Sequence, residues 1–242
     1  MSDDRTSYQV FCGPAPWPAE IWQVWNFDAA LIIGLSLCAI AGFWHLRNAS
    51  DIRRKAFGVA TGAAVIAFVS PLCALTVALF AARSAHHLIL LSVIAPVLAI
   101  ALPMMRVPVA ASFIALSAAL WAWHVPVVYS ATWDSTAIYW AMQFALLLPG
   151  WAFWSVVLTG RSWRDTAWLM PLVAQMGFLG AILTFAGRPF YLEHLAYAER
   201  FGLIALQDQQ LAGLIMWVPG MVPIAAIAAW LAWGQLAAMR RA

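Results

Sequence analysis

Gln207-Asp208-Gln209-Gln210-Leu211-Ala212-Gly213-Leu214-Ile215-Met216-Trp217-Val218-Pro219-Gly220 sets one acid and three amides against the start of a long apolar run. Polar groups at the edge of a hydrocarbon layer are costly unless other parts of the protein partner them. The stretch therefore predicts a membrane-crossing helix that starts at a polar junction with its neighbours. Composition extends that reading to the rest of the chain. Of 242 residues, 64% are hydrophobic and 10% charged, and mean hydropathy is +0.83. A soluble domain carries about a quarter charged residues. The apolar residues fall in windows of about 20, enough for a helix to cross a hydrocarbon core. They run continuously and do not alternate, which argues against membrane strands. The expected fold is all-α, a polytopic transmembrane helical bundle.

Seven spans are expected, at about 27–46, 56–75, 85–102, 108–124, 137–158, 167–186 and 211–234. Residues 1–26 form an extracytoplasmic segment in which Gly13-Pro14-Ala15-Pro16-Trp17-Pro18 cannot be helical, and Trp17, Trp22 and Trp25 read as interface anchors. The seven-helix domain covers 27–235, and 236–242 form a cytoplasmic tail. Ser70-Pro71 predicts a kink or end of the second span. Residues 75–85, interrupted by Arg83, read as a short interfacial helix. With the N-terminus outside and the C-terminus inside, nine of thirteen basic residues (Arg47, Arg53, Arg54, Lys55, Arg106, Arg161, Arg164, Arg240 and Arg241) face inward. Arg5, Arg83, Arg188 and Arg200 fall outside, which satisfies the positive-inside rule. These basic residues are divided among short loops and form no nucleic-acid patch, the net charge being only +3. The acidic start, with Asp3 and Asp4, lacks the pattern of a cleavable signal peptide. No internal repeat is visible, which weighs against an inverted-repeat carrier.

This topology places His86, His87, His124, Asp134, His194 and Asp208 at outer ends of spans or in outer loops, with His45 inside. His86 and His87 point about 100° apart on a helix, so both cannot easily face one small site. Each is either a cap or interhelical hydrogen bonder, or one of them is a metal ligand. His124 precedes Pro126 and is open to the same two readings. Tyr139 and Gln143 share a helical face. Asp208 suits a cap or first-turn anion of its own helix, and Gln209 and Gln210 suit interhelical hydrogen bonds. Met216 offers a thioether to a soft metal, although in a chain with nine methionines packing is the plainer role. Cys12, Cys38 and Cys73 form no CxxC pair, so neither a disulfide nor a thiolate motif is indicated. No nucleotide, haem-attachment or nucleophile motif is present, so no enzymatic activity is expected.

Three pieces together resemble the caa3-type cytochrome c oxidase assembly factors of the CtaG type, seven-span bacterial membrane proteins. The first is Ser70-Pro71-Leu72 with His87-Leu88-Ile89-Leu90-Leu91 and Pro103. The second is Trp123-His124-Val125-Pro126-Val127-Val128-Tyr129. The third is Asp208-Gln209-Gln210-Leu211-Ala212-Gly213 with Met216-Trp217-Val218-Pro219-Gly220. The resemblance runs from about 27 to 235 and implies help in maturing a haem–copper oxidase at the bacterial inner membrane. It implies oxidase subunits or other assembly factors as partners, and copper as a transient cargo delivered or inserted on the outer side. His86, His87, His124 and Met216 are then the candidate metal residues. Arg83, Tyr139, Gln143, Asp208 and Gln209 form a polar network around them. The chain is a divergent member, because Arg83 and the Tyr139/Gln143 pair stand where the family usually carries histidines. Arg83 is expected to pair with Asp208 or Asp134. A metal-free scaffold or stable oxidase partner, and a small-solute or ion transporter, are the alternative functions.

Overall fold

A computed structural model describes residues 11–104, 107–160 and 162–240. Arg5, Arg106, Arg161 and Arg241 of the charge bias lie outside the described residues, as do Asp3 and Asp4. The architecture is helical, with no strand among the described residues. Helix α1 is Ala29–His45, capped by Asp28, which accepts from the Leu31 N–H at 2.8 Å. Helices α2 (Asp51–Phe68) and α3 (Pro71–Ala78) meet at a 46° bend. Helix α4 spans Phe80–Ala101, α5 Val109–Trp123 and α6 Pro126–Asp134, the last two bent by 79°. Helices α7 (Thr136–Thr159), α8 (Trp163–Thr184) and α9 (Ala205–Met239) complete the bundle.

Four of these, α4, α7, α8 and α9, are long and apolar enough to cross a membrane; six cross if each bent pair counts as one span. At 17 residues α1 is apolar but shorter than the usual span. Both bends sit where the sequence places a proline at the first position of the following helix. Proline lacks the N–H that would continue the preceding helix, while its fixed φ suits a new start. Ser70 adds a cap, accepting from the Leu72 N–H at 3.2 Å.

The segment expected at the interface, 75–85, is instead interior. Cys73, Ala74, Val77 and Ala78 of α3 are buried, and Arg83 is only 2% exposed on α4. Helix α4 therefore starts five residues earlier than the span expected from 85, because the arginine is housed by the bundle and not excluded from it. The polar start of α9 is likewise part of the helix, and not the loop before it.

Trp154 shows how the bundle accommodates a break inside α4. Residues Leu90–Ile94 form a π turn, in which the Ala95 N–H reaches Leu90 O. The next bond of that pattern would come from Pro96, which has no donor. The Trp154 indole N–H supplies it instead, donating to Leu91 O at 2.9 Å. Side chains also satisfy the far end of α4. Arg53 donates to Ala101 O at 2.8 Å and Trp151 to Leu102 O at 2.9 Å. Helices α8 and α9 approach through glycines, where a Cβ on Gly180 would lie 2.8 Å from Gly213 O. Small residues allow such close backbone contact between membrane helices.

One correction concerns the cysteines. Cys12 and Cys73 form a disulfide across a separation of 61 residues, and both are buried. The N-terminal segment is thus strapped to α3. The absence of a short spacing motif concealed the pair, since two cysteines this far apart leave no local signature. Cys38 is free and exposed.

Candidate functional site

The polar start of α9 joins four pieces of backbone. Gln207 reaches back to the N–H of Ile204 at 3.0 Å, the reciprocal half of a capping box on its own helix. Asp208, fully buried, accepts from the Phe80 N–H at 2.7 Å and the Ala81 N–H at 3.0 Å. It therefore caps α4, whose own preceding residue, Leu79, has no side chain able to do so. Its role as a cap holds, but the helix capped is α4 and not its own. Gln209 accepts from the Phe190 N–H at 2.6 Å and donates to Arg188 O at 3.4 Å. Gln210 donates to Ala186 O at 3.4 Å. The two amides thus bind the connection between α8 and α9, where interhelical bonds were expected.

With α4 held in this way, its second turn faces a small cavity of about 20 Å³, room for one water or one ion. Arg83, His87, His124, Tyr129, Met176 and Met216 line it, backed by Phe80 and Leu120. Three of the four residues singled out as metal candidates, His87, His124 and Met216, thus share one space. His86 does not line it. It is fully buried and packs edge-on against Phe68, with ring centroids 5.0 Å apart. The 100° step between adjacent helical residues separates the pair.

His124 ends α5 and places Nδ1 2.6 Å from Leu120 O, one turn back. That contact assigns the proton to Nδ1 and leaves the lone pair on Nε2. His87 Nε2 is buried without a hydrogen-bond partner. Arg83 carries two buried nitrogens, Nε and Nη1, in the same condition. Its guanidinium lies 5.7 Å from the Tyr129 ring centroid and 5.6 Å from that of Tyr139. The aromatic faces give partial electrostatic compensation. No ion pair of Arg83 with Asp208 or Asp134 occurs among the described residues; Asp208 is committed to the start of α4.

A second layer orders the wall. Tyr129 and His194 share a hydrogen bond of 2.7 Å, and Tyr191 donates to His124 O at 2.9 Å. Phe80 stacks on Tyr191 with centroids 4.0 Å apart. Burial holds the His194 imidazole neutral, with the Arg83 charge pushing the same way. Together they lower its pKa to about 3, against the nearby carbonyls of Ala78 and Val77, which favour charge. Ser130 donates to Glu193 beside it.

Tyr139 and Gln143 diverge from this centre. Tyr139 is buried against the guanidinium, with its hydroxyl 3.5 Å from Cys12 Sγ. Gln143 is 1% exposed and neither of its amide atoms has a partner. It lines a different space, the groove between α1 and α7. Residues that sequence reasoning did not place in the site are Tyr129, Met176, Tyr191 and His194. Tyr129 was within the quoted Trp123–Tyr129 motif, whereas Tyr191 and His194 sit in a loop without periodicity. Among the described residues no three His, Cys, Asp or Glu side chains converge as a metal-binding group. Any metal here would need the thioethers.

Residues 105–238 match the family model described as cytochrome c oxidase caa3 assembly factor. The match takes in His124, Tyr139, Gln143, Asp208, Gln209 and Met216, and begins beyond Arg83, His86 and His87. No curated protein and no solved structure gives a match.

Proposed function

The chain belongs to the cytochrome c oxidase caa3 assembly factor family, and from that membership we propose that it assists maturation of a haem–copper oxidase by briefly holding Cu(I) in the cavity beneath Arg83. The observation that carries this reading is the convergence of His87, His124, Met176 and Met216 on one small space. Imidazole nitrogens and thioether sulfurs are a soft donor set that suits Cu(I). The Nε2 of His87 has no hydrogen-bond partner, and the Leu120 contact leaves a lone pair on His124 Nε2, so both imidazoles are free to turn a nitrogen toward the cation. Copper is cargo in this account. The protein's role is non-catalytic, and its partners are oxidase subunits or other assembly factors.

Arg83 makes the hold weak. Two unit charges about 4 Å apart at an effective dielectric of about 20 repel by about 4 kcal/mol. A guanidinium lining the cavity therefore lowers affinity for a monovalent cation by orders of magnitude, which suits transfer more than storage. The same charge favours a second reading, a metal-free scaffold that joins the oxidase through its surface.

The proposed topology has seven spans with α1 as the first, residues 1–26 outside, the bundle over 27–235 and the tail 236–242 inside, in a bacterial inner membrane. Two features support it. Cys12–Cys73, His124, His194 and Asp208 cluster at one end of the bundle, and Arg53 with the C-terminus of α4 lies at the other. A disulfide forms and persists in oxidising compartments, so the end that carries it suits the extracytoplasmic side.

The test is a deletion strain complemented with variants, read by oxidase copper content and by co-purification of oxidase subunits. Loss of both on deletion, with copper alone lost in a His87→Ala/His124→Ala strain, supports copper handling. Full copper in that strain with retained co-purification supports the scaffold. An oxidase unaffected by deletion overturns both readings.

A further inference from the structure

The turn between α1 and α2 and the first residues of α2 carry four basic side chains, Arg47, Arg53, Arg54 and Lys55. They lie at the end of the bundle away from the disulfide and play no part in the copper reading. Arg53 is committed to the fold, since it donates to Ala101 O. The other three are exposed. Asp51 is the one acid paired with them among the described residues, 3.4 Å from Arg54 and 2.7 Å from Lys55. One carboxylate thus faces two cations, and Arg47 has no acid partner. Exposed pairs of this kind are weak and exchange readily. Arg47, Asp51, Arg54 and Lys55 together keep a net charge of +2.

A loop that only fixes orientation needs charge but no particular arrangement. Here the arrangement is specific. The Arg47 guanidinium lies 4.4 Å over the Trp44 ring and donates to Trp44 O at 3.4 Å. Arg54 folds back across the turn and donates to Arg47 O at 3.4 Å. Both guanidinia are therefore gathered at the turn, next to an exposed indole. Leu37, Ile40, Trp44 and Arg47 fall within one arc of α1, and the three apolar side chains are exposed. From Leu37 to Arg47 the helix rises about 15 Å, the depth of one leaflet. An acyl chain lying along that face would bring its phosphate to Arg47 and Arg54. A guanidinium suits phosphate because it can grip two oxygens at once. A zwitterionic head would carry its own ammonium into a positive field, so an anionic head is favoured. We propose that the α1–α2 turn binds the phosphate of an anionic phospholipid whose chain lies along the Leu37–Trp44 face of α1.

The test uses the full chain purified in detergent. Phosphatidylglycerol and phosphatidylcholine with identical chains are titrated separately, and bound lipid is read by native mass spectrometry. The expected result is about tenfold tighter binding of phosphatidylglycerol, from two guanidinia beside its phosphate. Arg47→Gln/Arg54→Gln should abolish the preference. Arg47→Lys/Arg54→Lys keeps the charge and the orientation signal, and should reduce the preference to about threefold because lysine neither stacks as well nor grips two oxygens. Inorganic phosphate in large excess should not displace the lipid, since burial of the chain supplies the rest of the affinity. Equal binding of the two lipids, a preference unchanged in either double variant, or displacement by inorganic phosphate would overturn the assignment. Displacement by an equimolar polyglutamate peptide would overturn it too, and would give the surface to an acidic protein partner.

Discussion

The cavity under Arg83 and the groove beside α1 both hold buried polar atoms without partners, yet opposite means build them. The cavity is tied from several directions. Asp208 caps α4 across 128 residues of sequence, His194 meets Tyr129, and Tyr191 meets the His124 carbonyl. The groove is tied at one end, where Asn26 before α1 donates to Phe68 O and Val69 O, while small residues along its walls leave open space. Polar side chains that find backbone partners at a distance produce a tight, preorganised site. Small side chains that meet nothing produce a permissive one. Substitutions should therefore be severe around the cavity and mild around the groove.

The largest effect is expected at Asp208. Asp208→Ala leaves two buried N–H groups at the start of α4 unpaired, at about 1–3 kcal/mol each. Denaturant unfolding in detergent should show a loss of several kcal/mol, with Asp208→Asn intermediate because it keeps one acceptor. A loss below about 1 kcal/mol would mean that α4 is not held by this contact. Next comes Cys12→Ser. Opening a loop of this length removes up to about 4 kcal/mol in the chain-entropy view, and the same loss should follow mild reduction of the wild-type protein but not of the variant.

His194 gives a pH-dependent effect of intermediate size. Its folded pKa of about 3 lies below its ordinary value of 6.5. The unfolded chain therefore binds the extra proton between those values, and stability is fully present above pH 6.5 and falls as pH drops through the window. At pH 5 the loss is about 2 kcal/mol. His194→Gln, which keeps a partner for Tyr129 but does not titrate, should show a flatter profile between pH 6.5 and 4. An unchanged profile would remove His194 from the account. The smallest effect belongs to the groove. Gly34→Leu should alter stability by no more than about 0.5 kcal/mol, as a substitution into open space does. A large loss there would erase the contrast between the two regions.

Much of this architecture was legible in the chain. The apolar windows and the polar stretch at 207–210 indicated a helical membrane bundle, and Pro71 indicated the first bend, whereas the chain past Pro126 was read as the end of a span and instead continues as α6. The motifs around His124 and Asp208 also indicated the family. The failures have a common cause, in that local rules cannot see partners distant in sequence. Asp208 at a helix start reads as a cap for its own helix, whereas its carboxylate caps one more than a hundred residues earlier. Arg83 reads as an interfacial residue by hydropathy, whereas Tyr129 and Tyr139 house it inside. Cys12 and Cys73 are joined only by the fold. The division between His86 and His87 was half visible, since helical geometry separates them but does not say which faces the cavity. The groove was not legible at all, because it depends on how far α1 stands from α7.

The most direct test of the copper account is Cu(I) binding to the purified, reduced-atmosphere protein, measured by competition with a colorimetric Cu(I) chelator. The account predicts about one Cu(I) per chain, loss of that site in His87→Ala/His124→Ala, and binding tightened about a hundredfold or more in Arg83→Gln, from relief of a repulsion of about 4 kcal/mol. Stoichiometry and affinity unchanged in both variants would contradict it.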